Sequence, residues 1–165
     1  MMLTFRSAGG VFNCRAAAVV LRGNALLVTQ EAGSPFWYLP GGRVEFGESA
    51  AQSAVRALHE DLGVVGQVVR PLYFVENFFA LSDGRPFHEW SMYFLAEIGP
   101  DAVPRTRDLN GIQSHADLRF RWAELDTLGK LPLRPNFLCE SLKHLPDTLE
   151  HVVYRDVPAL HPERW

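Results

Sequence analysis

One segment of the 165-residue chain marks both ends of a helix, and this feature most constrains the fold. Ser49 followed by Gln52 forms a capping box at its start, and Gly63 is the residue type that ends helices in a left-handed conformation. Between these ends, apolar residues recur at three- and four-residue spacing, namely Ala51, Ala54, Val55, Leu58 and Leu62. The spacing predicts an amphipathic helix over residues 49–63 that packs one face against another layer.

The rest of the chain predicts mainly β-structure. Segments rich in Val, Leu and aromatic residues predict strands at residues 16–21, 25–30, 64–79, 87–98, 118–125 and 151–155. Arg22-Gly23-Asn24 predicts a hairpin turn between the first two strands. Pro135 in a first turn and Pro146 after the end predict a second helix over residues 135–145. This order is that of an α+β domain, and no repeat or linker divides the chain, so we expect residues 1–165 to form one domain.

Composition excludes several classes of protein. Hydrophobic residues make up 47% and charged residues 21% of the chain, as in globular domains rather than disordered ones. The formal charge of −3 gives no sign of binding to nucleic acid polymers or membrane surfaces. No apolar run approaches the ~18 residues of a membrane span, and the N-terminus lacks the features of a signal peptide. Two cysteines are too few for a disulfide framework, so we expect a cytoplasmic domain.

The last turn of the predicted helix carries two adjacent acids, Glu60 and Asp61. Each is unfavourable there by about 0.3–1 kcal/mol, because this is the negative end of the helix dipole, and the two also repel each other. A solvated acidic face is the commoner explanation of such a pair. The alternative is a divalent cation site, which Glu48 can join if the flexible Gly41-Gly42 backbone folds back along the helix. Spacing alone leaves both interpretations open.

A longer pattern surrounds these acids. The segment GRVEFGESAAQSAVRALHEDLGV, residues 42–64, resembles the Nudix box, G-x5-E-x7-R-E-U-x-E-E-x-G-U, in which U is a bulky aliphatic residue. The preceding LPGG resembles the usual entry to that box. The matching positions are Gly42, Glu48, Arg56, Leu58, Glu60, Gly63 and Val64.

The resemblance to Nudix hydrolases implies an α/β/α sandwich with a mixed central sheet. It also implies hydrolysis of a nucleoside diphosphate linked to a further group, with Mg²⁺ or Mn²⁺ as the cofactor. By the same resemblance, the metal ligands are the carbonyl of Gly41 and the side chains of Glu48, Glu60 and Asp61. Arg56 orients these acids by a salt bridge, and it joins Glu60 among the residues implied for catalysis. Without a metal, we expect the carboxylates to repel one another and to raise their pKa values.

Two positions depart from the box. Asp61 stands where Glu is usual, and Ala57 stands where the family has a Glu that binds metal, activates water or does both. Three alternatives follow: another carboxylate replaces it, the enzyme works slowly or with fewer metals, or the domain binds nucleotides without catalysis. The candidate replacements are Glu89 and Glu76. We favour Glu89, on the condition that its face of the predicted strand meets the box helix.

The sequence says less about the substrate, for which we expect a small nucleoside diphosphate derivative. Four aromatic residues are candidates for stacking on a base, although such residues are more often core, namely Trp37, Tyr38, Phe78 and Phe79. Four arginines are candidates for phosphate contacts, although most exposed arginines are simply solvated, namely Arg43, Arg105, Arg107 and Arg119. The loop predicted over residues 99–117 is a candidate cover for the site. The sequence leaves a homodimer open.

Overall fold

The computed structural model describes residues 1–105, 108–112 and 115–156. Its elements are, in chain order, β1 (Thr4–Ser7), β2 (Gly10–Arg22), β3 (Ala25–Glu31), β4 (Gly41–Arg43), α1 (Ala50–Leu62), β5 (Gly66–Ala80), β6 (Pro86–Ile98), β7 (Leu109–Asn110), β8 (Leu118–Glu124), a 3-10 helix (Leu125–Lys130), α2 (Leu138–Ser141) and β9 (Glu150–Arg155). None of the helices in these ranges has the length and apolar character needed to cross a membrane.

β2 organises the sheet because both of its edges are paired. One edge runs parallel to β6, from Val11 opposite Phe87 to Val20 opposite Ala96. The other edge pairs antiparallel with three partners in turn, which are β1, β4 and the start of β3. The strand order is β7-β8-β3-β2-β6-β5-β9, with β9 parallel to β5. The expected mixed central sheet is therefore confirmed.

Alternation along β2 directs its side chains into two different layers. Ala18 shares an apolar cluster with Leu58 of α1, so α1 covers the face formed by even-numbered residues of β2. Ala17 belongs to a cluster with Leu138 of α2 and with Leu128 of the 3-10 helix, which cover the opposite face. Successive residues of a strand point to opposite faces, and burying both faces requires two helical layers. The result is the α/β/α sandwich that the resemblance implies.

α1 begins and ends where the sequence predicts. The amide of Gln52 donates to Ser49 Oγ, and the amide of Ser49 donates back to the Gln52 side chain, which completes the capping box. Gly63 follows with φ of 69°, and its amide donates to the carbonyl of His59. An N-cap of this kind contributes about 1 kcal/mol. Local interactions therefore fix both ends of the helix that carries the acids.

The predicted second helix is much shorter than expected. α2 spans only Leu138–Ser141 instead of residues 135–145. On both sides the chain closes tighter turns, in which the amide of Cys139 donates to the Asn136 carbonyl and the amide of Lys143 to the Glu140 carbonyl, each at 3.1 Å. These bonds span three residues rather than four and replace the α-helical ladder. The sequence also did not predict the 3-10 helix or the short strands β1 and β7.

Candidate active site

Two glycines allow β4 to lie close to β2 and to α1. A Cβ on Gly41 would lie 2.3 Å from the carbonyl oxygen of Ala16, so no side chain fits at this position. A Cβ on Gly42 would lie 3.7 Å from the Cβ of Ala57, so the backbone of β4 passes directly beside this point of α1. The Gly41-Gly42 backbone therefore does return along the helix, next to the position where the box acid is missing.

Arg56 joins the two glutamates of the candidate site. Its Nε and Nη2 donate to the two carboxylate oxygens of Glu48, at 3.0 and 2.6 Å. Its Nη1 donates to Glu60 Oε2 at 2.9 Å, and Nη2 also donates to the carbonyl of Arg43 at 3.0 Å. The planar fork of a guanidinium fixes the direction of a carboxylate that it binds with two hydrogen bonds. Arg56 thereby holds Glu48 beside α1 and ties the helix to β4.

This salt bridge reverses one expectation from the sequence. Hydrogen bonds from Arg56, together with its positive charge, lower the pKa of Glu48 to about 2. The expected upward shift is therefore wrong for Glu48, because the hydrogen bonds and charge of Arg56 outweigh burial, which acts in the opposite direction.

Asp61 has a partner that the sequence did not reveal. Its side chain is buried, at 5% exposure, and its Oδ1 contacts Nδ1 of His115. Burial raises the pKa of Asp61, because it disfavours the charged carboxylate, while the hydrogen bond and charge of His115 act in the opposite direction. For Asp61 the expected direction of shift is correct, although burial is its main cause rather than repulsion.

Backbone contacts also anchor the loop between β7 and β8 to the end of α1. The amide of Ile112 donates to the Asp61 carbonyl at 2.8 Å, and the amide of His115 donates to the Ile112 carbonyl at 2.9 Å. A Cβ on Gly111 would lie 2.1 Å from the His115 carbonyl oxygen, so a glycine is needed for this close turn. His115 lies 54 residues from Asp61 in the chain. No local spacing in the sequence connects the two, and the only signal was a histidine in a loop predicted to cover the site.

Glu89 lies on the other side of the sheet. Its carboxylate accepts hydrogen bonds from Asn13 Nδ2 at 2.8 Å and from Ser91 Oγ at 2.9 Å. These odd-numbered residues of β2 and β6 share the face that α2 covers, because side chains alternate along each strand. The condition that favoured Glu89, a face that meets α1, is therefore not met. The structure does not bring Glu89 together with Glu60 and Asp61.

The second candidate base, Glu76, is engaged by histidines. Its Oε1 lies 2.8 Å from Nε2 of His151 in β9, and its Oε2 lies 3.9 Å from Nε2 of His88 in β6. Glu76, on β5, therefore pairs with histidines of β6 and β9.

The residues considered for substrate contacts fall into different environments. Trp37 is buried in the core, so the simpler interpretation of this aromatic residue is correct. Arg119 donates to Gln30 at 2.6 Å with its guanidinium 5.3 Å from the Trp37 ring centre, and Arg105 donates to Glu124 at 2.7 Å. Arg107 lies outside the described residues.

The acids fit a divalent cation by their charge and donor chemistry. Glu48, Glu60 and Asp61 bring three carboxyl groups, and Arg56 binds two of them. Mg²⁺ and Mn²⁺ prefer such oxygen donors. Across the ranges that the structure describes, no three His, Cys, Asp or Glu side chains are placed around one point. Glu48 and Glu60 turn to Arg56, and Asp61 turns to His115. Glu60 has the freedom to turn back, because its side chain is 44% exposed.

Comparison with known proteins decides the family. The NUDIX domain model matches residues 13–142, a range that includes β4, α1 and every acid described above. The chain belongs to the Nudix family. A relative from Mycobacterium tuberculosis, named "Putative mutator protein MutT4", is 30% identical over 131 residues, which cover 79% of this chain and 48% of the relative. The chain thus spans about half the length of that Nudix relative.

Further relatives agree with this membership. The "Uncharacterized Nudix hydrolase YvcI" of Bacillus subtilis is 24% identical over 127 residues, covering 76% of this chain and 72% of the relative. Among solved structures, the mutator MutT protein of Bacillus halodurans matches with a TM-score of 0.64 at 16% identity, over 88% of this chain and 91% of that one. A UDP-X diphosphatase matches with a TM-score of 0.56 at 20% identity, over 87% and 69%. At these identities the two structures establish the fold alone, and they confirm the Nudix-type sandwich.

Proposed function

We propose that this Nudix protein hydrolyses the diphosphate linkage of a small nucleotide or nucleoside diphosphate derivative, and that the reaction requires Mg²⁺ or Mn²⁺. The observation that carries the proposal is the match to the family over the segment that holds Glu48, Glu60 and Asp61, in which one arginine binds both glutamates. Acids that outnumber their fixed positive partner suit a cation that binds a diphosphate.

In this proposal, some residues bind the cation and others position those ligands. The side chains of Glu48, Glu60 and Asp61 and the carbonyl of Gly41 would hold the cation. A divalent cation bound there would offset the negative charge of the diphosphate and make its phosphorus easier for water to attack. Arg56 positions Glu48 and Glu60 through the hydrogen bonds described above. Burial keeps the Asp61 carboxylate away from bulk water. Attraction between opposite charges is stronger at such a site than in water.

A substrate panel tests the proposal. It consists of nucleoside triphosphates, ADP-ribose, UDP-linked and other sugar nucleotides, and dinucleotides, each with Mg²⁺ and with Mn²⁺, followed by release of phosphate or pyrophosphate. We expect turnover of at least one compound and its loss in EDTA. Asp61→Asn should lower kcat/KM by about 100-fold or more, since it removes a metal ligand. Glu97→Gln, at an exposed acid of β6, is the matched control and should leave the rate unchanged.

The rival function is a nucleotide-binding domain with little or no catalysis, and Ala57 is the observation that favours it. No turnover on any compound, with tight nucleotide binding retained, would establish this rival. Ala57→Glu restores the missing acid beside Gly42. We expect the rate to rise if the site is impaired but otherwise intact. An unchanged rate would mean that another group already accepts the proton from water.

Glu89 stays the base predicted from the sequence, and its surroundings support a second role. Its bonds to Asn13 and Ser91 join β2 to β6 on the α2 side of the sheet. Glu89→Gln separates the two roles, because loss of a base lowers kcat, whereas loss of a strand contact lowers the melting temperature. A fall in kcat no larger than that of Glu97→Gln removes Glu89 from the reaction.

Homodimer formation also stays a prediction. Its support is an apolar part of the sheet surface, where Phe5 and Trp90 are 63% and 45% exposed. Exposed aromatic patches are typical of protein interfaces. Light scattering after size exclusion tests it, since a dimer has twice the chain mass of 18.6 kDa. The cytoplasmic location and the lack of a nucleic acid polymer as partner likewise stay predictions.

A further inference from the structure

We propose that Asn13, Glu89 and Asn77 recognise the nucleobase of the substrate, and that the base they select carries two adjacent N–H donors on one edge, as guanine does. The inference rests on the proposed function, because it requires that the substrate is a nucleotide derivative. It names the class of that substrate, and it gives Glu89 a role in recognition rather than in proton transfer.

The three residues form one polar row across the centre of the sheet. Asn13 of β2 lies opposite Glu89 of β6, and Glu89 lies opposite Asn77 of β5. Partners in register point to the same face, which here is the face that α2 covers further along the strands. On β2 and β6 the apolar cluster under α2 begins at Ala17 and Tyr93, so the row lies beyond that cluster.

The row is buried, and its hydrogen-bonding capacity is not satisfied. The exposed fractions of Asn13, Glu89 and Asn77 are 2%, 8% and 8%. Within the described residues, Glu89 receives hydrogen bonds only from the neutral side chains of Asn13 and Ser91, and no donor reaches Asn77 Oδ1. A buried carboxylate without a cation and a buried amide oxygen without a donor are both unfavourable. The row therefore suits a ligand that brings donors.

The acceptors of the row select among nucleobases. Each oxygen of Glu89 accepts one bond and keeps a further lone pair, and a carboxylate accepts two parallel N–H bonds well. Guanine offers such a pair in its ring N–H and its amino group. Adenine offers an amino group beside a ring acceptor, and that acceptor would face the carboxylate without a proton between them.

An aromatic pair lies in the next row on the same face. Phe79 lies opposite Phe87, and their rings stack with centres 4.5 Å apart. Phe79 is half-buried, so part of its ring stays accessible. Phe79 is thus an aromatic candidate from the sequence that lies beside the row, and aromatic rings of this kind stack on bases.

Arg15 connects the row with the candidate cation site. It lies one row nearer to Gly41, opposite Ser91 in β6, and its guanidinium donates to the Leu39 carbonyl at 3.1 Å. Burial raises the pKa of Asp61, and the positive charge of Arg15 is among the influences that lower it, so the two groups lie within electrostatic range. Arg15 is therefore placed to meet the phosphates of a nucleotide whose base lies at the row.

The spacing along β2 agrees with this placement. Asn13 and Ala17 are four residues apart, and Gly41 lies opposite Ala17. At ~3.3 Å per residue, the row lies about 13 Å along the strand from Gly41. This separation is comparable with the length of a nucleoside diphosphate from its base to its second phosphate.

Binding of GMP, IMP and AMP in EDTA, measured by isothermal titration calorimetry, tests the inference without turnover. IMP lacks the amino group of GMP, and AMP has an acceptor in place of the ring N–H. We expect the wild type to bind GMP at least about tenfold more tightly than AMP, with IMP between them. Equal affinities would overturn the inference. A preference that follows the ribose hydroxyls, as shown by loss of binding with dGMP, would overturn it as well.

Glu89→Gln replaces one acceptor oxygen by an amide group that donates. It should reduce the preference for GMP over AMP by at least about tenfold and raise KM for a guanine substrate more than it lowers kcat. Glu97→Gln, at an exposed acid of the same strand, is the matched control and should keep the wild-type preference. Equal weakening of all three nucleotides by Glu89→Gln is the result expected of a structural residue, and it would contradict the inference.

Asn77→Leu covers the case in which Glu89→Gln fails to fold, because it removes an acceptor that has no donor within the described residues. It should weaken GMP binding without lowering the melting temperature. Unchanged GMP affinity would remove the row from recognition. The substrate panel judges the proposed function separately. Turnover without a preference for guanine overturns the inference alone, whereas a preference for guanine without turnover on any compound overturns hydrolysis alone.

Discussion

The two ends of α1 hold their acids in opposite ways. Near the N-terminus, Glu48 is bound by Arg56, a residue eight positions away in the chain. Near the C-terminus, Asp61 contacts His115, which belongs to a loop 54 positions away. The contact between Glu48 and Arg56 involves only residues within α1 or just before it. The contact between Asp61 and His115 forms only when a segment distant in sequence packs against the end of α1. Within one short segment, the surroundings of Glu48 are therefore set by local contacts, whereas the surroundings of Asp61 depend on the tertiary fold.

The two ends also differ in their electrostatics. Arg56 holds the pKa of Glu48 at about 2, well below its ordinary value. Asp61 shows a raised pKa, because burial disfavours its charge more than His115 supports it. Glu48 is therefore balanced by a fixed positive charge, whereas a cation bound beside Asp61 would favour the charged form of that carboxyl group.

The largest expected effect comes from removing the fixed charge. Arg56→Ala leaves Glu48 and Glu60 without their counter-charge, and charged hydrogen bonds of this kind contribute about 2 kcal/mol. We expect the free energy of unfolding to fall by about that amount in metal-free buffer, measured by urea denaturation. Arg85→Ala is the control, since its ion pair with Asp83 is exposed and screened by solvent. Equal losses in the two variants would show that the N-terminal network is no stronger than a surface ion pair.

The docked loop should give a smaller effect on stability and a specific effect on cation binding. In Gly111→Ala the new methyl group collides with the His115 carbonyl oxygen, 2.1 Å from the ideal Cβ position. We expect a loss of about 1–2 kcal/mol, typical of overpacking, and weaker Mn²⁺ binding, because the loop contacts that hold Asp61 are displaced. Gly129→Ala is the matched control, since nothing lies within 4 Å of its Cβ position. Unchanged Mn²⁺ affinity in Gly111→Ala would separate the loop from the cation site.

The smallest effect is a difference in pH dependence between the two ends in EDTA. The pKa of Glu48 falls from its model-compound value of 4.5 to about 2 on folding, so the unfolded chain binds the proton first as the pH drops. Glu48 therefore contributes stability above pH 4.5 that is lost towards pH 2, and Glu48→Gln should flatten this decline. Asp61 has the opposite sign, because its raised pKa lets the folded state bind the proton first. Its contribution is complete below its model-compound value of 3.8 and is lost as the pH rises.

Denaturation curves at several pH values measure this contrast. Asp61→Asn should remove the gain on acidification, whereas Glu48→Gln should remove the loss. Shifts of the same sign in the two variants would show that the ends do not differ electrostatically.

Sequence reasoning succeeded where the signals are local. The limits of α1 follow from Ser49, Gln52 and Gly63, which act within a few residues of one another, and the hairpin around Gly23 is of the same kind. The acids of the box were equally accessible, since their spacing on one helix is a property of the chain alone.

Sequence reasoning failed where tertiary contacts decide. The position of Glu89 in a strand was predicted, but which face meets α1 depends on how the layers stack. His115 reaches Asp61 through a loop whose path no pattern encodes. α2 is short because the carbonyls of Asn136 and Glu140 accept hydrogen bonds from amides three residues later rather than four. Helical propensity does not predict this difference.

The parallel pairing of β2 with β6 has a consequence for the order of events during synthesis. Val11 lies opposite Phe87, so β2 cannot pair with β6 until the chain as far as β6 has left the ribosome. Until then, α1 covers one side of an incomplete sheet. The nascent protein therefore contains the residues of α1 for some time before the pair of strands at the centre of the sheet can form.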